Sequence, residues 1–327
     1  MRQLEIIAER WPITGTFRIA RGAKTHAQTL MVCLHEDGKT GRGECVPYGR
    51  YGESIDSVTA QIEAQRHALE NGLTRQDLQN AMPAGAARNA VDCALWDLQA
   101  KQSGVPVWQR AALDQPKPVP TAFTIAIDTP AIMADKAKAA NAFPLLKLKL
   151  AGDGLDIERL LAIKAGRGDA ALILDANEGL SLDQLKALFP QLAALNVVLI
   201  EQPLPADDDQ ALAGLRSPIP ICADESLHTS ADLPRLAGLY GAVNIKLDKT
   251  GGLSEAIILA RRAKAHGLKV MLGCMVGTSL GMAPSLMLGS LADFVDLDGP
   301  LLLVKDREPG LHYEGATLHP PTATVWG

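Results

Sequence analysis

The sequence predicts an α/β chain: an eight-stranded barrel of the TIM type with an α+β domain ahead of it. Three observations lead there. From residue 119 onward, eight short and nearly continuous apolar runs recur about every 22 to 28 residues. Strands that apolar are buried on both faces, and helix-suited stretches between most of them make the sheet parallel. Six of the runs end in charged residues, and the C-terminal strand ends are where a barrel keeps its chemistry. The first 115 or so residues lack this rhythm and read as strands followed by clustered helices, an α+β texture. The competing open, doubly wound sheet usually brings a glycine-rich first turn, and no GxGxxG follows a strand here.

The first 50 residues read as β-structure, with Asp37-Gly38 as the turn of a hairpin between strand-like runs. Residues 54–70 and 86–101 carry helical spacing, the second through Ala90, Ala94 and Leu98. Pro116, Pro118 and Pro120 punctuate a boundary, which places a capping domain at 1–115 and a barrel at 116–305. The eight runs are VPTAFTIAI, PLLKLKL, ALILDAN, VVLIEQP, IPICADES, AVNIKLDK, KVMLGCM and FVDLDGP. Residues 306–327 lose the barrel texture and are expected to return to the first domain.

Composition excludes several classes. The 327 residues are 47% hydrophobic and 21% charged, with a formal net charge of -5 and no Arg/Lys run, so nucleic acid is not an expected partner. Cys33, Cys45, Cys93, Cys222 and Cys274 form neither CxxC pairs nor a disulfide framework. The start, MRQLEIIAERWP, lacks a signal-peptide core, and no apolar run approaches the roughly 20 residues of a membrane span. A cytoplasmic protein with no membrane partner is expected, and the sequence leaves a homo-oligomer open.

Asp175, Glu201 and Asp224 fall at equivalent places on three successive runs, 26 and 23 residues apart. Their side chains should converge at the barrel mouth. Clustered carboxylates repel unless a cation joins them, and an all-oxygen ligand set suits Mg²⁺. Lys149 and Lys246 end the second and sixth runs, which lie across from one another in an eight-stranded barrel. Lysine is a poor base at its ordinary pKa of about 10.4. Burial, a metal ion and Lys147, on the same strand face as Lys149, should lower it. Lys249 is a rival to Lys246 but points to the other strand face. Asp248 is expected in the mouth beside Lys246, with Asn177, Gln202 and Glu225 supporting the ligands. Two lysines opposed across a metal suit removal of a proton next to a carboxylate on one face and its return on the other.

These residues together resemble the muconate-lactonising subgroup of the enolase superfamily. The marks are KxK at 147–149, DAN at 175–177, EQP at 201–203, ADES at 223–226 and NIKLDKTGG at 244–252, with PAGAARNAVDCALWDL at 83–98 similar to its cap-domain helix. The resemblance implies a modified TIM barrel, (β/α)7β, with a cap built from both chain ends, and Mg²⁺ as cofactor, one per subunit. DLDGP at 296–300 and VPYGRYGES at 46–54 resemble the dipeptide (L-Ala-D/L-Glu) epimerases within that subgroup, which implies murein peptide metabolism. In that likeness Asp296 and Asp298 bind the substrate ammonium, Thr124 lies near its carboxylate, and Arg21 and Lys24 take its side-chain carboxylate. Lys24 stands where arginine is expected, so a point charge replaces a planar fork. An o-succinylbenzoate synthase or cycloisomerase shares the metal triad but handles no ammonium group. A sugar-acid dehydratase would usually place a histidine on the seventh strand, and KVMLGCM has none. A non-catalytic metal-binding barrel would be expected to have lost a lysine.

Overall fold

The computed structural model describes residues 2–192 and 194–327. The chain begins with a three-stranded antiparallel sheet, β1 (Gln3–Ile19), β2 (Gly22–Glu36) and β3 (Lys39–Cys45), in that spatial order. The β2–β3 hairpin turns on Asp37 and Gly38, both with positive φ, the backbone that matches strand twist in a two-residue turn. Four helices follow: α1 (Ile55–Glu63), α2 (Arg66–Glu70), α3 (Arg75–Ala81) and α4 (Ala86–Ser103). Ser54 and Ser57 cap α1 reciprocally, satisfying two of its free N–H groups.

Helix α4 is the seam of the molecule. Almost every residue along it is buried, because one side packs on β3 and the other on the barrel. The approach to β3 is so close that a Cβ on Gly41 or Gly43 would lie 2.2 Å or 2.1 Å from the carbonyls of Ala94 or Ala90. Only glycine fits there, and the strand's backbone lies directly on the helix.

The second unit is an eight-stranded parallel sheet, β5 (Phe123–Ile125), β6 (Leu145–Lys149), β7 (Ala171–Asp175), β8 (Val197–Glu201), β9 (Ile221–Ala223), β10 (Ala242–Ile245), β11 (Lys269–Leu272) and β12 (Phe294–Val295). Each falls inside one of the eight apolar runs. The run at 119–127 proves double, since β4 (Val119–Pro120) leaves the barrel to pair with β14 (Thr317–Leu318), itself paired with β13 (Tyr313–Glu314). The sheet curls until its ends meet: Ala122 N–H donates to Val295 O at 2.8 Å, and Leu297 N–H to Thr121 Oγ1 at 2.9 Å. Ile173, Leu199, Cys222, Ala242 and Met271 fill the barrel's interior, while the opposite strand faces pack on the surrounding helices.

The chain end comes back to the first unit. Trp326 is buried, and its indole N–H lies within hydrogen-bonding distance of the Arg42 and Cys93 carbonyls. Arg307 reaches Glu44 on β3 and Glu9 on β1. Among the described residues, no helix is long and apolar enough to cross a membrane.

Candidate active site

Strand register builds the site. Lys149 pairs with Asp175, and Asp175 with Glu201, so the three stand in one row across β6, β7 and β8. Asp224, Lys246 and Asp296 each follow the last residue of their strands; Glu201 pairs with Cys222, so Asp224 stands two residues further along, toward the mouth. β6 and β10 are four strands apart in an eight-stranded sheet, which sets Lys149 and Lys246 on opposite sides of the mouth. Both line one cavity of about 370 Å³, together with Phe17, Lys24, Tyr51, Asn177, Asp224, Glu225 and Cys274.

The carboxylates are fully buried, and buried charge is tolerated only when paired. Asp175 Oδ2 lies 2.6 Å from Lys149 Nζ and 3.1 Å from Lys147 Nζ. Asp224 Oδ2 lies 2.7 Å from Lys246 Nζ, and its Oδ1 2.6 Å from Lys249 Nζ. Glu201 Oε1 accepts from Asn244 Nδ2 at 2.8 Å. Its Oε2 is 2.7 Å from Lys147 Nζ but makes no aligned hydrogen bond. Burial raises the Asp175 and Asp224 carboxyls, and the lysines outweigh it: Lys149 and Lys147 hold Asp175 low, and Lys246 and Lys249 hold Asp224 low. Glu201, between them, goes the other way, pushed up by burial and by Asp175.

Positive charge is therefore shortest at the middle carboxylate, where one buried oxygen lacks a directed partner. An all-carboxylate set of this kind fits a hard divalent cation. The two other clusters with metal-ligand chemistry, Glu5/Cys33/His35 and His312/Glu314/His319, do not line the cavity. Their donor atoms lie within 4.8 Å of one another, whereas lysine ammoniums stand between the three strand-end carboxylates.

Lys147 Nζ also lies 2.8 Å from Asp296 Oδ2. Asp298 Oδ2 accepts from the Thr124 N–H at 2.6 Å, and Thr124 Oγ1 lies 3.4 Å from Asp296 Oδ1. Thr124 is thus tied to the acidic pair. Burial and neighbouring Asp296 push the Asp298 carboxyl up, as expected for a buried carboxyl beside a second one.

Three expectations change. Asp248 does not enter the mouth: the chain turns into a short helix at 247–250, alternation ends, and Asp248 accepts from Val46 N–H and Asn89 Nδ2 of the cap. Lys249, expected to point to the other strand face, instead reaches Asp224, with Nζ 2.5 Å from its carbonyl. At Lys246 burial pulls the ammonium down, while Asp224 and Glu201 outweigh burial and hold it well above its ordinary value. Arg21 has both terminal nitrogens committed within the protein, to Asn177 O, Glu178, Tyr48 OH and Glu225, which leaves Lys24 as a cavity-wall cation with no carboxylate partner among the described residues. Of the residues expected to support the strand-end carboxylates, Gln202 Oε1 accepts the Asp224 N–H at 2.9 Å and Asp175 Oδ1 accepts the Asn177 N–H at 3.0 Å, while Glu225 accepts from Asn177 Nδ2 and lines the cavity.

The sequence reading missed Asn244, Tyr51, Phe17 and the loop Cys274–Val276. Asn244 could have been found, because it precedes Lys246 by two and shares its strand face. The others sit on loops and a hairpin tip, where no period marks the inward face.

A curled parallel barrel with acidic strand ends, facing lysines and an antiparallel cap defines an enolase-type protein. The first 110 residues match the mandelate racemase/muconate lactonizing enzyme N-terminal domain, and residues 132–322 match the enolase C-terminal domain-like family. The chain belongs to this mandelate racemase/muconate lactonizing enzyme family of the enolase superfamily.

It is 48% identical to the L-Ala-D/L-Glu epimerase of Escherichia coli over 98% of this chain and 100% of that one. It is 49% identical to an N-acetyl-D-glutamate racemase of a Pseudoalteromonas species over 91% and 95%. An Agrobacterium tumefaciens enolase-family protein with homology to dipeptide epimerases, solved with sodium and L-Ala-L-Glu, superposes with a TM-score of 0.98 at 48% identity, covering 100% of both chains. A dipeptide epimerase of Methylococcus capsulatus, solved with Mg and L-Arg-D-Lys, gives 0.91 at 31% identity over 98% and 96%.

Proposed function

We propose that the protein epimerises a dipeptide of the L-Ala-L-Glu type at the carbon next to its carboxylate, with Mg²⁺ as cofactor. The observation that carries this reading is the pair Lys149 and Lys246 on opposite walls of one cavity, flanking a row of buried carboxylates. Asp175, Glu201 and Asp224 would hold Mg²⁺, which supplies Lewis acidity to the substrate carboxylate and so stabilises the enediolate.

The chain's own residues then divide the work. One of Lys149 and Lys246 removes the α-proton, and the other returns a proton to the opposite face. Lys147, Lys249 and Asn244 fix the carboxylates. Asp296 and Asp298, a buried acidic pair of which only Asp296 meets Lys147, suit the substrate ammonium. Lys24 faces the side-chain carboxylate. Cap residues 17–24 and 48–51 wall the cavity against water.

The likeness to an N-acetyl-D-glutamate racemase favours a second reading, in which an N-acylated glutamate takes the dipeptide's place. The buried, undercompensated Asp296/Asp298 pair weighs against it, because an acyl group brings no cation to that end. Incubation with Mg²⁺ in D₂O, with proton NMR of the α-proton, separates the two. Loss of signal from L-Ala-L-Glu with appearance of the L,D diastereomer supports the first reading; loss from N-acetylglutamate alone supports the second.

A further inference from the structure

Two cap segments overhang the cavity from separate places in the sequence. One is the β1–β2 hairpin tip, where Phe17 pairs with Lys24 around the turn at Ala20-Arg21. The other is the loop Tyr48–Tyr51. Both reach the barrel through arginine, and both arginines end on one barrel side chain, Glu178. Arg50 grips it as a fork, Nε to Oε2 and Nη2 to Oε1 at 2.8 Å each. Arg21 Nη1 lies 3.0 Å from the same Oε2 and 2.6 Å from the Asn177 carbonyl. Tyr48 OH lies 3.1 Å from Arg21 Nη2 and joins the two segments directly.

Backbone conformation directs this arrangement. Asn177 and Glu178, which follow the strand end carrying Asp175, both have positive φ, 45° and 69°. Such angles are costly for residues other than glycine and persist only where surroundings enforce them. Here they turn the Asn177 carbonyl and the Glu178 carboxylate toward the cap. The Glu178 side chain is 9% exposed, so solvent screens these pairs less than ordinary surface ones. Oε1 also accepts the Ala206 N–H at 3.0 Å, which braces the carboxylate from the barrel side.

We infer that Glu178 is a positioning residue that couples the two cap segments and holds Lys24 and Tyr51 over the cavity, so that substrate capture and side-chain selection depend on it. This rests on the dipeptide reading for its kinetic consequence but not for its structural one. Glu178 touches neither a reacting atom nor a carboxylate of the metal row. Its loss should lower the fraction of molecules competent to bind, which raises apparent Kd in proportion and leaves chemistry intact.

The test compares Glu178→Gln and Arg50→Met with the parent protein. Glutamine keeps one oxygen for Ala206 N–H and turns the oxygen that faces both arginines into an NH2 donor, so the charge and that acceptor are lost together. Hydrogen–deuterium exchange of the protein with Mg²⁺ and without substrate is read first. Glu178→Gln should speed exchange in both 17–25 and 47–52, and Arg50→Met mainly in 47–52. With L-Ala-L-Glu, Glu178→Gln should raise KM roughly tenfold with kcat within about twofold, by the competent-fraction argument. Unchanged exchange in either segment of Glu178→Gln overturns the coupling, as does an equal fall in kcat and kcat/KM with exchange spreading into β7. If Glu178→Gln does not fold, Arg50→Met decides: unchanged exchange in 47–52 refutes the tie. If the parent protein fails to turn over the dipeptide, the reaction assignment falls while the exchange result still stands.

Discussion

Lys147 Nζ lies 2.8 Å from Asp296 Oδ2 and 2.7 Å from Glu201 Oε2, so one buried ammonium joins the candidate metal carboxylates to the candidate ammonium subsite. Removing it would take a cation from three buried carboxylates at once, of which Asp175 keeps Lys149. Lys147→Met should cost about 3–5 kcal/mol, as expected for breaking a buried pair on one side. Urea denaturation without Mg²⁺ checks this; a loss below about 1 kcal/mol would show the carboxylates repaired by water.

Asp298 separates the two substrate readings. Asp298→Asn keeps an acceptor for the Thr124 N–H and removes one charge. A charge-assisted hydrogen bond contributes about 1.5–3 kcal/mol, so KM for L-Ala-L-Glu should rise roughly 10- to 100-fold. N-acetylglutamate, if turned over at all, should be unaffected. Steady-state kinetics on both compounds measures the difference, and equal effects would remove the ammonium from this site.

Lys24 makes the preference for an acidic side chain depend on pH. Burial, with Lys149 and Lys246 nearby, lowers its ammonium to about 8. Above that pH the free protein loses the charge that attracts a carboxylate. The kcat/KM for L-Ala-L-Glu should therefore fall above about pH 8 relative to an apolar dipeptide such as L-Ala-L-Leu. Lys24→Met should abolish the difference between their pH profiles.

Asp248 gives a stability signature at the cap–barrel seam. Burial raises its carboxyl to about 7, against about 3.9 in an unfolded chain. Between those values the folded state binds the extra proton, so this group's contribution is full below pH 4 and declines as pH rises to 7. The loss is a few kcal/mol at most. Asp248→Asn should flatten the difference in urea stability across pH 4–8 and leave the protein at least as stable at pH 8. A mutant with the parent's slope would place the titration elsewhere.

The barrel and the carboxylates and lysines at its strand ends were legible in the sequence because both follow period-two geometry. Asp175 and Glu201 end strands paired in register, and Asp224 and Lys246 sit one residue past theirs, so counting from the apolar runs sufficed. The same counting failed at Asp248, where the chain had already become helical. Arg21 was read as a substrate contact from its residue type and position. Its commitment to Glu178 and Glu225, 157 and 204 residues away, depends on tertiary placement that no local pattern encodes. The second half of the cap, returned by Trp326 and Arg307, was legible only as loss of rhythm after residue 305.

The central claim is that Lys149 and Lys246 act on opposite faces of one carbon. The measurement that tests it most directly is α-proton exchange in D₂O by Lys149→Ala and Lys246→Ala, each offered L-Ala-L-Glu and L-Ala-D-Glu separately. Neither variant should epimerise. Each should exchange the α-proton of one diastereomer only, and the two should choose opposite diastereomers. Exchange of both diastereomers by one variant, or the same choice by both, would contradict a two-lysine mechanism.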